Sequence, residues 1–335
     1  MIRCLLNKLL PVTAVLLLLN GCVFVSMPLL LSKQPLREHV VAGFGKEKIL
    51  LIDISGMISV EDKAELGGMQ YEPSLVARLK EELRLAQEDP AVRAVILKIN
   101  SPGGMVTASD IIHHELLTYK NKYGVKIVAC FMEMGTSGAY YIATAADKIW
   151  AHPTSITGSI GVIVMKFNMS ELMGKIGVQD ESIKSGNKKD ILMPFRATTP
   201  DERRIVQGLV DQMQQRFLQV IYDGRPKIDK EKLLEIADGR ILSPTEAQNV
   251  GLIDQIGYLD NAIEDARLLI GSPTARIIMY APPYIQKANI YTQAQSGTNL
   301  LPGVESYLPF RYPFSGLLPS PNPYFMYYWM PQAGQ

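Results

Sequence analysis

The run AVILKI (94–99) constrains this chain more than any other stretch, because only Lys98 interrupts its apolar residues. Such a run is the pattern of a buried strand, and Pro102-Gly103-Gly104 ends it sharply before the helical pattern VTASDIIHHEL. Upstream, KILLIDISGMI (48–58) predicts another strand and SLVARLKEELRLAQ (74–87) an amphipathic helix between the two. This strand–helix–strand rhythm with short turns predicts an α/β fold with a mostly parallel sheet covered by helices. Further on, Thr199, Pro200 and Glu202 have the order of an N-cap, a first-turn proline and an acidic first turn, opening a helix to about Ile221. Val206, Leu209, Val210, Met213, Phe217 and Val220 fall at helical spacing along it, which suits packing or a subunit contact better than a cofactor site.

Within this frame, four stretches supply groups for acyl transfer. GTSGAYYIA (135–143) places Ser137 where the strand VKIVACFM passes into the helical pattern AYYIATAA. A serine hydroxyl is a poor nucleophile until a neighbour takes its proton. Lysine can take it only when neutral, a state that burial among apolar groups favours. Lys189, in KSGNKKD (184–190), lies between GVQDESIKSG and ILMPF and is expected to project from a loop into a partly apolar cleft; Lys184 and Lys188 are its rivals. Negative charge developing on a carbonyl oxygen needs backbone N–H groups aimed at it. INSPGG (99–104) offers them at Gly103 or Gly104, where glycine lets a substrate backbone come close, and Gly138 directly after the serine offers a second. With TGSIGV (157–162) the set is a nucleophile, a base and an oxyanion hole without histidine, which points to a serine–lysine peptidase. The segment GTSGA does not fit the GxSxG elbow of an ordinary α/β-hydrolase.

From about Lys48 to about Leu269 these motifs, in this order and closed by GRILSPTEAQNVGLIDQIG (239–257), resemble the signal peptide peptidase A (SppA) family of the ClpP/crotonase superfamily. SPGG alone is shared with ClpP, crotonases and related membrane peptidases. The serine with its SGxYYIA continuation, then GSIGV, then SGxxKD about fifty residues after the serine, carries the specific likeness. The resemblance implies a ClpP/crotonase-like fold of repeated ββα/βαβ units, with Ser137 as nucleophile and Lys189 as general base. It also implies Ser159 as the residue that orients the lysine, and Gly103, Gly104 and Gly138 as the oxyanion segment. It implies further a ring-like homo-oligomer in which Ser137 of one subunit meets Lys189 of a neighbour, acting on apolar peptides such as released signal peptides. Ala139 stands where the family commonly has glycine. With no internal repeat, the chain has the short form with one catalytic domain.

Each group also has an ordinary structural reading. Ser137 would serve as a helix N-cap, Lys189 as a solvated charge, Ser159 and the SPGG glycines as turn residues. Their joint occurrence in family order favours the catalytic reading. The four histidines, His39, His113, His114 and His152, fit no triad and read as structural. The alternatives that stay open are a related ClpP-class membrane peptidase with one membrane-protein target, and a crotonase-fold scaffold without catalysis.

A chain of 335 residues with a formal charge of +1 has no electrostatic reason to bind nucleic acid. Cys4, Cys22 and Cys130 form no disulfide framework, and neither a metal-ligand cluster nor a cofactor is expected. Arg3 and Lys8 precede an apolar stretch that runs uncharged to Ser32. It predicts a bacterial membrane anchor with the catalytic part on the periplasmic or extracytoplasmic side. The anchor is either this segment as a helix or a lipid on Cys22, since LNGC (19–22) resembles a lipobox. The organisation expected is therefore a targeting segment and stem (1–45), a peptidase domain (46–270) and a C-terminal extension (271–335). That extension, with nine prolines from Ala281 onward, is expected to form no long helix or regular sheet. It is either a flexible end or a strip that docks on a subunit, a membrane or the substrate groove.

Overall fold

In the computed structural model, residues 35–65, 70–283, 287–292 and 325–329 are described. The first half forms β1 (Arg37–Ala42), β2 (Lys48–Ser55), β3 (Lys63–Glu65), β4 (Gln70–Glu72), α1 (Leu75–Gln87), β5 (Val92–Ser101), β6 (Gly103–Met105) and α2 (Val106–Tyr123). Next come β7 (Lys126–Thr136), α3 (Gly138–Ala143), β8 (Lys148–Ala151), β9 (Ile156–Gly158), β10 (Ile163–Val164) and α4 (Ser170–Lys175). The rest comprises α5 (Pro200–Gly224), α6 (Lys230–Ile236), β11 (Ile241–Leu242), α7 (Pro244–Asn249), β12 (Gln255–Ile256), α8 (Leu259–Leu269), β13 (Arg276–Ala281) and β14 (Phe325–Tyr328).

The two apolar runs, β2 and β5, pair in parallel at the middle of a sheet ordered β1-β13-β2-β5-β7-β8-β12, with β9 on the end of β7 and β11 on β9. Only β1 and β11 run antiparallel to their neighbours. Because side chains alternate along a strand, the runs feed two cores. Leu50, Ile52, Ile54, Val95, Leu97 and Ile99 pack with the buried stripes of α1 and α2. Ile49, Leu51, Ala94 and Ile96 pack with Leu259, Ala262, Ile263 and Ala266 of α8. Lys98, the one charge in the run, is buried and paired with buried Asp53 at 3.2 Å, and its ammonium donates to the Thr292 carbonyl at 3.1 Å.

Helix α5 begins as the sequence predicts. Thr199 Oγ1 accepts from Glu202 N at 3.3 Å while the Glu202 carboxylate accepts from Thr199 N at 2.9 Å, a capping box. Of its apolar face, Phe217 and Val220 are buried, whereas Leu209 is 41% exposed, so the first half of the helix is left partly uncovered by the described residues.

The sheet includes residues on either side of 46–270: β1 lies in the stretch read as stem and β13 in the stretch read as extension. The continuous apolar run IIMYA (277–281) fits an interior strand for the same reason as β5. The extension differs from expectation a second time, because Phe325–Tyr328 forms the middle strand of a three-stranded sheet ordered β10-β14-β6. No proline falls between Pro323 and Pro331, and FMYY is rich in residues that suit strands. The targeting segment with Cys4 and Cys22 lies outside the described residues, among which no helix is long and apolar enough to cross a membrane.

Candidate active site

The carboxyl ends of adjacent parallel strands are where open α/β sheets carry their sites. Here β5 ends in Ser101 beside Gly135 of β7, so Pro102-Gly103-Gly104 and Thr136-Ser137-Gly138 are brought side by side. Strand β9 pairs with the end of β7, Thr136 opposite Gly158, and delivers Ser159 to the same edge. Three of the four stretches singled out in the sequence thus meet at one place, whereas Lys189, on the fourth, is exposed.

Ser137 has φ 54° and ψ −117°, a strained conformation for a residue with a side chain, costing on the order of 1–3 kcal/mol. The surroundings hold it there: its N–H donates to the Gly158 carbonyl at 2.8 Å and its carbonyl accepts from Tyr141 N at 2.9 Å. The side chain gains nothing from this geometry, since Ser137 Oγ is buried, has no hydrogen-bond partner and caps no N–H of α3. The ordinary N-cap role is therefore not the one it fills. Ser159 shares the left-handed backbone, with φ 51°, and its N–H donates to the Arg240 carbonyl at 2.7 Å.

Gly103, at φ 100°, and Gly104 are required as glycines. A Cβ on Gly103 would overlap the Tyr327 carbonyl oxygen and lie 2.8 Å from Gly138 N, and one on Gly104 would overlap the backbone of Ile58. Ile58 N donates to the Gly103 carbonyl at 2.9 Å and Met105 N to the Ile58 carbonyl at 2.8 Å, which pins the segment. A Cβ on Gly138 would lie 3.1 Å from Tyr327 O and 3.3 Å from Gly104 N. The backbone nitrogens of Gly104 and Gly138 therefore lie close together beside the serine.

The lysine segment is different. Every residue from 174 to 189 is exposed, so Lys189 does not enter an apolar cleft of its own chain: nothing from the core reaches this segment to wall one off. Its rivals are occupied, Lys184 by Asp190 at 2.5 Å and Lys188 by Asp201. Lys189 has no side-chain partner among the described residues. The segment is tied down just beyond it, where buried Asp190 and Glu202 grip Arg196 from two sides, at 2.6 and 2.5 Å. Hydrogen bonds from Arg196 and Lys184 hold the Asp190 carboxyl well below the usual carboxylate range, and Arg196 with the Thr199 backbone lowers Glu202 to about 2.

The sequence reading passed over the wall of the site opposite the glycines. A cavity of about 250 Å³ is lined by Val106, Asp110, Tyr141, Leu209, Met213 and Arg216, with Tyr327 against it. Tyr141 donates to Asp110, which also accepts from Arg216 at 3.0 Å. His113 stacks edge-on against Tyr141 at 5.3 Å, and burial lowers its pKa to about 4, in keeping with a neutral structural ring. The doublet Tyr140-Tyr141 was the available signal, because two consecutive tyrosines on one short helix must face different surroundings. Tyr140 indeed points the other way, donating to the Leu252 carbonyl at 2.9 Å. No group of histidine, cysteine and acidic side chains suited to a metal occurs among the described residues.

Comparison with known proteins adds an independent line. The profile described as Peptidase family S49 matches residues 119–271. An Enterococcus faecium protein with the provisional name signal peptide peptidase SppA is 34% identical over 74% of this chain and 71% of its own length. Serine protease SPPA, chloroplastic, of Arabidopsis thaliana is 31% identical over 67% of this chain, which spans only 32% of that protein. Among solved structures, ClpP1 of Listeria monocytogenes aligns with 64% of this chain and 94% of its own at 17% identity and a TM-score of 0.40.

Proposed function

The chain belongs to peptidase family S49 and is a serine peptidase, and on that premise we propose that Ser137 is its nucleophile and Lys189 its general base. The observation that carries the reading is the Ser137 hydroxyl, buried and unpartnered on a strained turn beside the N–H groups of Gly104 and Gly138. Strain and an unpaired buried hydroxyl both cost stability, and a catalytic role accounts for their retention.

In the mechanism proposed, Ser137 Oγ attacks a peptide carbonyl whose oxygen lies between Gly104 N and Gly138 N, while Lys189 accepts the hydroxyl proton and then delivers it to the leaving amine. Water attacks the resulting acyl-enzyme by the same route in reverse, restoring the serine. Ser159 orients the lysine. Since Lys189 is exposed on a segment that its own core does not cover, the base is supplied by a neighbouring copy in a ring. Exposed Phe167, Leu172, Ile176 and Ile183 on the approach to Lys189 support this, as an apolar surface of that kind suits a subunit contact. Closing the contact buries Lys189 and favours its neutral form.

The protein is proposed to be held at a bacterial membrane by its N-terminal segment, with the catalytic part outside the cytoplasm. There it degrades apolar peptides, released signal peptides among them. A fluorophosphonate probe tests the chemistry: it should label the membrane-isolated protein at Ser137, and the Ser137→Ala chain should remain unlabelled. Labelling of another serine, with signal-peptide cleavage surviving Ser137→Ala, would overturn the assignment.

A further inference from the structure

The clamp that holds the Lys189 arm is local in sequence. Asp190, Arg196 and Glu202, with Lys184 on Asp190 and Lys188 on Asp201, close residues 184–202 on themselves and on the first turn of α5. They shape the arm without tying it to the turns beside Ser137. That tie comes from the segment that follows Ser159. Past β10, Lys166 Nζ donates to the Arg196 carbonyl at 3.1 Å and to Thr198 Oγ1 at 2.5 Å, and Met169 N donates to the Pro194 carbonyl at 2.7 Å. Among the described residues no other side chain makes a hydrogen bond between 160–173 and 186–198. Strand β10 in turn belongs to the small sheet whose far edge is β6, the strand of Gly103 and Gly104.

Lys166 is half-buried and has no carboxylate of its own among the described residues, since Arg196 takes both acids of the clamp. It meets a carbonyl and a hydroxyl instead. Ordering a long side chain costs conformational entropy, and hydrogen bonds to neutral oxygens return little net stability, so stability alone does not account for the arrangement. Burial, then Arg196 and Arg203, lower the pKa of Lys166, with Glu202 and Asp190 acting the other way. An amine bonded to neutral oxygens needs no charge to hold them, because its neutral form still carries two N–H groups. The tie therefore persists at alkaline pH, where a lysine base is free to accept a proton. Resting on the assignment of Lys189 as base, we infer that Lys166 is a positioning residue, which fixes the arm to the β9–β10 segment and so sets where Lys189 is presented to the serine it serves.

Kinetics and hydrogen exchange on the full-length, membrane-isolated protein test this together. Lys166→Met keeps the stem and removes the N–H groups. It should lower kcat on an apolar peptide by roughly 10- to 100-fold with KM within about 2-fold, because a displaced base costs the chemical step and not binding. The pH at which kcat is half-maximal should rise, since a looser arm leaves its base closer to water. Lys166→Arg keeps donors for both acceptors and should return kcat to within about 3-fold of the parent. The amides of Lys189, Ile191 and Met193, which are bonded within the arm, should exchange at least about 10-fold faster in Lys166→Met, while those of Tyr141 and Thr144 at α3 stay as they were. An unchanged kcat in Lys166→Met, or a loss of kcat with the pH profile and the arm amides unaltered, would overturn the proposal. A fully active Lys189→Ala beside a loosened arm in Lys166→Met would instead count against Lys189 as the base and leave the tie in place.

Discussion

The turn at Ser137 and the segment at Lys189 carry the two groups proposed to exchange one proton, yet they are built in opposite ways. Around Ser137 the backbone is held by hydrogen bonds with Gly158 of a neighbouring turn and with Tyr141 of α3, the helix that follows it and is buried along its whole length. Around Lys189 the buried anchor is the Asp190–Arg196–Glu202 clamp just beyond it, with a stretch of exposed residues before it. A nucleophile and an oxyanion hole need preorganisation, which a core supplies at the scale of single side chains. A base that must become buried only when the site is complete can wait on an exposed arm. The contrast is what the proposed shared site requires, one side finished by folding and the other by assembly.

The largest effect should come from the two groups themselves. Ser137→Ala and Lys189→Ala should each lower kcat/KM by roughly 10⁴-fold or more, since residues that act as one unit fail together. Circular dichroism should remain unchanged in both. Lys188→Ala, which removes one of two surface cations beside Asp201, should stay within about 2-fold. An inactive Lys188→Ala beside an active Lys189→Ala would shift the base by one position and dissolve the contrast in its present form.

The clamp is the next place to press. Arg196→Met leaves Asp190 and Glu202 without their shared cation and should release the arm but not the core. Activity should fall by roughly 10- to 100-fold, a range typical when a supporting residue is lost, while the midpoint of thermal unfolding moves little. A large drop in that midpoint would mean that the arm is part of the cooperative core.

A smaller, pH-dependent effect belongs to the core side. His113 has its pKa lowered to about 4 by burial, against an unfolded value of 6.5. Its contribution to stability is complete above pH 6.5 and is lost as the pH falls toward 4, because the unfolded chain takes up the proton first. Over that window the loss is on the order of 3 kcal/mol. Denaturant midpoints measured from pH 7 to 4 should fall less steeply in His113→Phe than in the parent. Parallel curves would show that the ring is not held neutral.

Much of this was legible in the sequence, and the misses have physical causes. The apolar run at 94–99, interrupted only by Lys98, pointed to the parallel sheet, Thr199 with Glu202 to the start of α5, and the glycines at 103, 104 and 138 to the turn set. These depend on local periodicity and backbone freedom, which a single sequence records. The aromatic pocket was not legible, because Tyr141, Met213 and Phe217 belong to separate elements and converge only through tertiary packing. The role of FMYY was hidden behind the proline-rich stretch before it, since composition averages over a strand of four residues. The exposure of Lys189 was one of two readings left open, because a motif fixes the neighbours of a lysine in sequence but not what covers it.

The division of the site between subunits is tested most directly by mixing the two inactive variants. Ser137→Ala and Lys189→Ala chains, differently tagged, are co-expressed and purified through both tags so that only mixed assemblies remain. The account predicts that cleavage of an apolar peptide returns to a sizeable fraction of the parent rate, because some contacts then join an intact Ser137 to an intact Lys189. Mixed assemblies that are confirmed by both tags and remain as inactive as either variant alone would contradict it, and would place both groups of each site in a single chain.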